Sequence, residues 1–389
     1  MKNRVCIVVQ NYFPYDVRVK REAAALRSRG HVVSVIALCD HNEAKEEIVD
    51  GVNVYRVRLG QKRGGPLRYL FEYIAFFLYS FYKLNALDWK YRFDVVHINT
   101  LPDFLVFCAV VQKLKGLKIV LDMHEIWPEF FMSKYKVGMK NPAVRILLMI
   151  EKASLRFSDA IITVNESIKQ LFQNRSVPGK YIEVVMNTLD ESAAIRLEKL
   201  PHDTFNCVYH GTLTETYGLE DAIKAFSIVC KECNDIAFHI FGDGPLLSKL
   251  KQQVEELKIQ QFVVFHGHIS HKNMLEKLTE MDLGILASPK DVFLNLSFSN
   301  KLAEYVCLKI PVVSSDLDAV KYYFSEDQLL YFMNGNIDDL AKIINYAYNN
   351  KDVIQKYAVN AFEKYKELNW TVMAERYINV IELCNGPSC

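Results

Sequence analysis

Val5-Cys6-Ile7-Val8-Val9, then Asp16 followed by Val17-Arg18-Val19-Lys20-Arg21-Glu22-Ala23-Ala24-Ala25-Leu26-Arg27, then Gly30 before His31-Val32-Val33-Ser34-Val35-Ile36-Ala37-Leu38, decide the fold. Five consecutive apolar residues at the start read as a buried strand. Asp16 offers a short carboxylate as an N-cap, the helical pattern runs to Arg29, and Gly30 stands at the C′ position. A second apolar run, from His31 to Leu38, is the next strand. Strand, helix and strand joined in this way require a parallel pair, because a tight hairpin cannot bring the chain back to the same edge.

The same rhythm spreads outward. Strands are expected at Val95-Val96-His97-Ile98, Ile119-Val120-Leu121, Ala160 to Val164 and Ile182 to Val185. The pattern restarts near residue 205, with strands expected at Phe205 to Tyr209, Ile236 to Phe241, Phe262 to Phe265, Leu283 to Ala287 and Pro311 to Ser314. Arg196 to Thr204, mostly polar with one proline, reads as the linker. The fold class is α/β, with two consecutive doubly wound domains. Ligands of such sheets bind outside the C-terminal strand ends, so two facing sheets are expected to hold a ligand in a cleft between them.

Composition sets the outer limits. The chain has 389 residues, 50% hydrophobic and 24% charged, which excludes a disordered, collagenous or disulfide-scaffold protein. The nine cysteines run from Cys6 to Cys389 and mostly sit in apolar runs, as expected of reduced thiols in a cytosolic protein. Cys230 and Cys233 lack a second pair at zinc spacing and read as a helix end. The apolar start is too short for a signal peptide, and no stretch reaches the roughly 18–20 apolar residues of a spanning helix. The net charge of +1 hides an asymmetry. Residues 1–200 hold 30 Lys and Arg against 21 Asp and Glu, a net of +9, and residues 201–389 hold 17 against 25, a net of −8. A basic first half suggests an anionic partner. No motif or basic helix supports a nucleic-acid reader.

Residues 56–92 break the rhythm. Arg56, Arg58, Lys62, Arg63 and Arg68 precede an apolar run with eight aromatics between Tyr69 and Tyr82. Aromatics with basic flanks favour a membrane interface. A helix buried over the first sheet is the competing reading.

Several residues have the chemistry for a site. His124, in Asp122-Met123-His124-Glu125 after a strand, can donate to a substrate hydroxyl or to developing charge; a histidine satisfied by a neighbouring carboxylate is the alternative. Gly211, in His210-Gly211-Thr212-Leu213, lets a diphosphate approach the backbone, and Gly242, in Gly242-Asp243-Gly244-Pro245, forms either a similar approach or a tight turn. Ser299 is expected to cap a helix whose first turn holds Asn300 and Lys301. Free amides and a lysine at a helix N-terminus make an anion site. Glu304, one turn on, can accept two vicinal hydroxyls such as those of a ribose, or merely pair with Lys301 in solvent. Asp316 and Asp318 have the D-x-D spacing of a metal pair, but a helix N-cap explains Asp316 without a metal.

These pieces, in this order and over nearly the whole chain, resemble the retaining GT-B glycosyltransferases of family 4. The family's Gly-His before the second strand corresponds to Gly30-His31. One branch has a loop like Phe13-Pro14-Tyr15-Asp16-Val17-Arg18. Further matches are Asp94-Val95-Val96-His97, Asp122 to Glu125, Asn187-Thr188-Leu189-Asp190, the Gly242 to Pro245 turn, Asn300-Lys301-Leu302-Ala303-Glu304-Tyr305 and Pro311-Val312-Val313. There are departures. The family often places Arg and Lys on the donor diphosphate where Thr212 and Tyr217 stand here, and the first of its paired Glu residues is Leu296, for which Asp291 or Asn295 could substitute. Lys301 and the helix N-terminus would then carry the diphosphate alone.

The resemblance implies an acceptor-binding domain at 1–195, a nucleotide-sugar-binding domain at 203–365, and a C-terminal helix at 366–389 that crosses back to the first domain, starting near Trp370. It implies transfer of a sugar from a nucleotide-sugar, UDP-linked by preference, to a glycan or lipid-linked acceptor with retention, in surface polysaccharide or glycolipid assembly. His124 and Lys301 would be catalytic. Gly211, Thr212, Gly242, Ser299, Asn300 and Glu304 would bind the donor, with Asp16 and Arg18 on the acceptor side. No metal or other cofactor is expected. The enzyme would be cytoplasmic, peripheral on the inner membrane face, with an anionic membrane surface as a further partner. A GT-B sugar-nucleotide epimerase and a non-catalytic binding relative are the alternatives.

Overall fold

The computed structural model describes residues 2–40, 43–59, 66–189 and 203–384. Lys62, Arg63, Asp190 and most of the expected linker lie outside them. The chain divides into two compact units, Met1–Met186 with Met373–Cys389, and Asn187–Val372.

The first unit holds an eight-stranded sheet. Its strands are β1 (Arg4–Tyr12), β2 (Val32–Leu38), β3 (Glu46–Val49), β4 (Val52–Val57), β5 (Val95–Asn99), β6 (Lys118–Met123), β7 (Ala160–Thr163) and β8 (Ile182–Val184), in the order β3-β4-β2-β1-β5-β6-β7-β8. All neighbours are parallel except β3 with β4. The expected strands are present, with ends shifted by one to three residues. Val5 to Val8 are fully buried, as a central strand covered on both faces requires. The order reverses between β1 and β5, and this is where such a sheet binds ligands. Helix α1 (Val17–Ser28) begins as expected, with Asp16 Oδ1 accepting the Val19 amide at 3.0 Å.

The β3–β4 hairpin was not expected, and it corrects the reading of Arg56 as part of a solvent-facing basic cluster. Arg56 lies in β4 and is buried. It donates to the Phe13 carbonyl at 2.8 and 3.2 Å and to the Ala44 carbonyl at 3.0 Å, and pairs with Glu47 at 2.5 Å. Helix α2 (Pro66–Tyr91) follows. Phe76 and Leu84 are buried, but Phe71 is 69%, Leu78 59% and Tyr82 72% exposed, so the helix is not wholly in the core. Among the described residues no helix is long and apolar enough to cross a membrane.

The second unit has a six-stranded, all-parallel sheet of β9 (Phe205–His210), β10 (Ile236–Phe241), β11 (Val263–Gly267), β12 (Leu283–Leu286), β13 (Val312–Ser315) and β14 (Leu330–Phe332). The order β11-β10-β9-β12-β13-β14 is the dinucleotide-fold order, with its reversal between β9 and β12. The helix Trp370–Cys384 returns to the first unit from Met373 onward, where its Tyr377 hydroxyl meets His97 Nδ1 at 3.0 Å.

Candidate functional site

The second unit brings Gly211, Gly242, Lys301 and the start of the Asn300–Cys307 helix together at its reversal point. Immediately after β9, Gly211 (φ +126) lies against Gly242 (φ +131), and a Cβ on Gly242 would stand 1.9 Å from the Gly211 carbonyl oxygen. Only glycine permits this conformation and approach. Lys301 Nζ lies 3.2 Å from where a Gly211 Cβ would be. The ammonium therefore sits on bare backbone at the strand end. It stands 4.0 Å from the centre of the Tyr217 ring and 5.4 Å from that of Tyr209, and makes no ion pair among the described residues. Burial pushes the Lys301 pKa down to about 8, and the Glu304 charge offsets this only in part. The site holds a cation with no protein anion bound to it.

The helix Asn300–Cys307 starts beside it. Ser299 occupies the N-cap position but its hydroxyl makes no cap bond, which corrects that expectation. Its carbonyl takes the amides of Leu302 and Ala303 instead, at 3.1 and 3.3 Å. The Asn300 and Lys301 amides stay without a hydrogen-bond partner among the described residues. Glu304 is not paired with Lys301. Its Oε1 accepts from His271 Nε2 at 3.2 Å, and its Oε2 lies 3.1 Å from His210 Nε2. Burial pushes His210 down to about 4, so this partner is neutral. His271 is exposed, and it opens its helix on the capping Ser270. Sequence reasoning missed His271 and Tyr209, and had Tyr217 only as the residue standing where the family often places a lysine; Ser270 followed by His271 was the signal for the first.

The proposed substitutes for the missing Glu are otherwise occupied. Asp291 Oδ1 accepts the Phe293 and Leu294 amides at 2.9 and 2.6 Å, and Asn295 exchanges bonds with Asp318 at 2.6 and 2.9 Å. Asp318 also pairs with Lys290 at 2.7 Å, and Asp316 accepts the Asn334 amide at 3.1 Å. The two carboxylates of the D-x-D thus have separate protein partners. Leu317, not Asp316, is the N-cap of the following helix.

The first unit carries a separate cluster. Arg18 is buried and donates to Asp122 through Nε at 2.5 Å and Nη2 at 2.9 Å, and to the Val185 carbonyl at 3.0 Å. Glu22, one turn along α1, lies 3.2 Å away. This corrects the assignment of Arg18 to the acceptor side: its donors are spent inside the unit. Although burial raises it, the Arg18 guanidinium and then His124 hold Asp122 well below the usual carboxylate range. Burial pushes Glu22 up, against the opposing pull of Arg18, and His97 down to about 4. Glu22, His97 and Asp122 have metal-ligand spacing. The cation these two carboxylates face is the Arg18 guanidinium.

Above this cluster, at the ends of β1 and β5, lies a cavity of about 300 Å³ lined by Asn11, Asp16, Glu72, Tyr73, His124 and Glu125 among others. The His124 side chain is 24% exposed, and its Nδ1 stands 3.8 Å from Asp122 Oδ2, too far for a hydrogen bond. Asp16 both caps α1 and lines the cavity.

Two doubly wound units, one with a lysine and free backbone amides at its reversal point, define an α/β protein of the two-domain type. Comparison with known proteins makes this specific. Residues 15–188 match the family described as "Glycosyl transferase 4-like domain", and residues 192–364 match "Glycosyl transferases group 1". The chain belongs to the GT-B glycosyltransferases of family 4, a class of transferase enzymes. It is similar to poly(glycerol-phosphate) alpha-glucosyltransferase of Bacillus subtilis, 25% identical over 54% of this chain and 31% of that protein. The chain spans less than half the length of the first curated relatives that it matches. Its fold is similar to sucrose-phosphate synthase from Thermosynechococcus elongatus (TM-score 0.78, 16% identity, 98% and 99% of the two chains). It is also similar to Anabaena HepE in complex with UDP (TM-score 0.70, 15% identity, 98% and 100%).

Proposed function

We propose that this protein transfers a sugar from a nucleoside-diphosphate sugar, UDP-linked, to an acceptor hydroxyl with retention of configuration. The observation that carries this is Lys301: a buried ammonium on the Gly211 backbone, beside two free helix-terminal amides, with no protein anion to answer it. A leaving diphosphate supplies that anion, and the charge developing on it is stabilised by donors already in place. His124 opens into the other unit's cavity and can meet the hydroxyls of a bound sugar. No metal is needed where a lysine and amides meet the diphosphate. The UDP in the HepE complex and the family's own chemistry support the reading. Radiolabelled UDP-sugars, incubated with a mixed glycan and lipid-extract acceptor pool in EDTA, should label the pool. An epimer alone, or label only after Mg²⁺ or Mn²⁺ is restored, would refute this.

Glu304 is the ribose ligand in this reading. His210 Nε2 stands 3.1 Å from one carboxylate oxygen without hydrogen-bonding it, which leaves that oxygen open to a sugar hydroxyl, and the exposed His271 gives way to a second hydroxyl at the other. Hydrogen bonds to a charged acceptor contribute about 1.5–3 kcal/mol each. Glu304→Gln should therefore weaken UDP as well as the donor by about 10-fold or more, measured by calorimetry. Unchanged UDP affinity would remove the ribose role.

The enzyme works at an anionic membrane surface, where a lipid-linked acceptor resides, in surface polysaccharide or glycolipid assembly. Helix α2 presents Phe71, Ile74, Leu78 and Tyr82 to solvent at a spacing of three to four residues, and Arg68 in its first turn and Arg58 ahead of it are exposed. Each cation near an anionic leaflet contributes roughly 1 kcal/mol, fading beyond a Debye length. Vesicles containing phosphatidylglycerol should pellet the protein, neutral vesicles should not, and salt should release it. Changing Arg58, Lys62, Arg63 and Arg68 to Ser should abolish pelleting with the melting temperature nearly unchanged. Arg56 is left out because its guanidinium holds the Phe13 loop. Equal pelleting with neutral vesicles would end the proposal.

A further inference from the structure

The cavity at the ends of β1 and β5 has a charge that runs against its unit. Residues 1–200 carry +9, yet the lining holds the carboxyls of Asp16, Glu72 and Glu125 and no lysine or arginine among the described residues. The nearest guanidinium described in the cluster below, Arg18, is locked on Asp122. The N-terminus of α1 is closed as an anion site too, because Asp16 already takes its Val19 amide and adds a negative charge there. A phosphate entering this cavity would find His124 as the one basic group in the described lining, with Arg68 already taken up by Glu72, and the carboxylates of Asp16 and Glu125 facing it.

The same lining suits sugar hydroxyls. Carboxylates accept hydrogen bonds from hydroxyls, the Asn11 amide both donates and accepts, and the ring of Tyr73 offers an apolar face for the C–H side of a pyranose. Glu125 has no ion pair or hydrogen bond among the described residues. Glu72 and Asp16 are held in place, by Arg68 at 3.1 Å and by Asn11 Nδ2 at 2.8 Å. A volume of about 300 Å³ is at the lower end for small-ligand sites and suits a terminal sugar rather than a long segment.

We propose that this cavity is a subsite for an uncharged sugar ring of the acceptor, with Glu125 as its specificity-determining residue, and that it turns phosphorylated rings away. The proposal rests on the transferase reading for the word acceptor, but not for the binding itself. It sets this chain apart from the Bacillus relative named for a glycerol-phosphate polymer. A lipid-linked acceptor remains compatible if its terminal sugar, rather than its phosphate, enters.

The test is saturation-transfer and titration NMR on the full chain. The probes are methyl hexosides, methyl N-acetylhexosaminides and the 6-phosphates of the same sugars. At least one uncharged glycoside should bind, with its 6-phosphate about 10-fold weaker or worse, the scale of one like-charge contact at a partly wet site. Glu125→Lys should narrow or invert that ratio while UDP affinity, measured on the same samples, stays unchanged. A phosphate bound as well as its parent sugar, an unchanged ratio in Glu125→Lys, or no bound glycoside at all would each overturn the proposal. Failure to bind any UDP-sugar with the glycoside preference intact would instead sink the transferase reading and leave the subsite standing.

Discussion

Replacing Lys301 by alanine should lower turnover by about 10²-fold or more, the scale for removing one donor aimed at developing charge in a shielded site. The lysine has no anionic partner to lose and stands against Gly211 and the faces of Tyr217 and Tyr209. The loss should therefore appear in catalysis and not in folding. Its folded pKa of about 8 lies below the ordinary 10.5. At pH 7 folding buries a charged amine at a cost, so the alanine variant should melt no lower than the parent. The same depressed value sets a pH limb. Only protonated Lys301 can meet the diphosphate, and kcat/KM reports the free enzyme. It should fall as pH rises through about 8 in the parent, and that limb should flatten in Lys301→Ala. Initial rates from pH 6.5 to 9.5 on both proteins decide this. Near-parental turnover in the variant, or an unchanged alkaline limb, would move the leaving-group site elsewhere.

The frame of both sheets was legible in the sequence because its signals are local. Apolar runs, the Asp16 cap and Gly30 each act within a few residues, and their alternation gives the doubly wound class, while the strand order comes from the structure. The β3–β4 hairpin was also legible in principle: Val49-Asp50-Gly51-Val52 is a two-residue turn signal, and Asp50 and Gly51 take φ of 49° and 73°. Charged Glu46 and Glu47 mask the strand in the sequence. The fates of the charged side chains were not legible. Arg18 and Arg56 read as surface cations, since nothing near them in sequence shows that a carboxylate 104 residues away, or a carbonyl 43 away, will claim them. Lys301 was found because a helix N-terminus is a local feature. The contact of its aromatic neighbours Tyr209 and Tyr217 was not, because they meet it only after β9 and its following turn are folded beside the helix.

The buried cluster under the first cavity should make Arg18→Met the most damaging substitution for stability, by about 3–5 kcal/mol, because it leaves a buried carboxylate without its partner. The pH dependence separates this cause from lost packing. In the parent, Arg18 holds the folded pKa of Asp122 below its ordinary 3.8. That contribution is present above the unfolded pKa and is lost only as pH falls through the folded one. Without the guanidinium, burial is opposed only by His124 and lifts the folded pKa above 3.8. The sign then reverses: the folded state binds the extra proton, and stability falls as pH rises past the unfolded value. Glu22, which burial already raises and Arg18 pulls down, moves the same way. The deficit of Arg18→Met relative to the parent should therefore be smallest near pH 4.5 and largest near pH 7.5, in urea titrations followed by circular dichroism. Adding Asp122→Asn should recover much of the loss at pH 7.5, since an amide has no charge to bury. A deficit equal at both pH values, and untouched by the second change, would mean that Arg18 acts by filling space and by its bond to the Val185 carbonyl, not by neutralising Asp122.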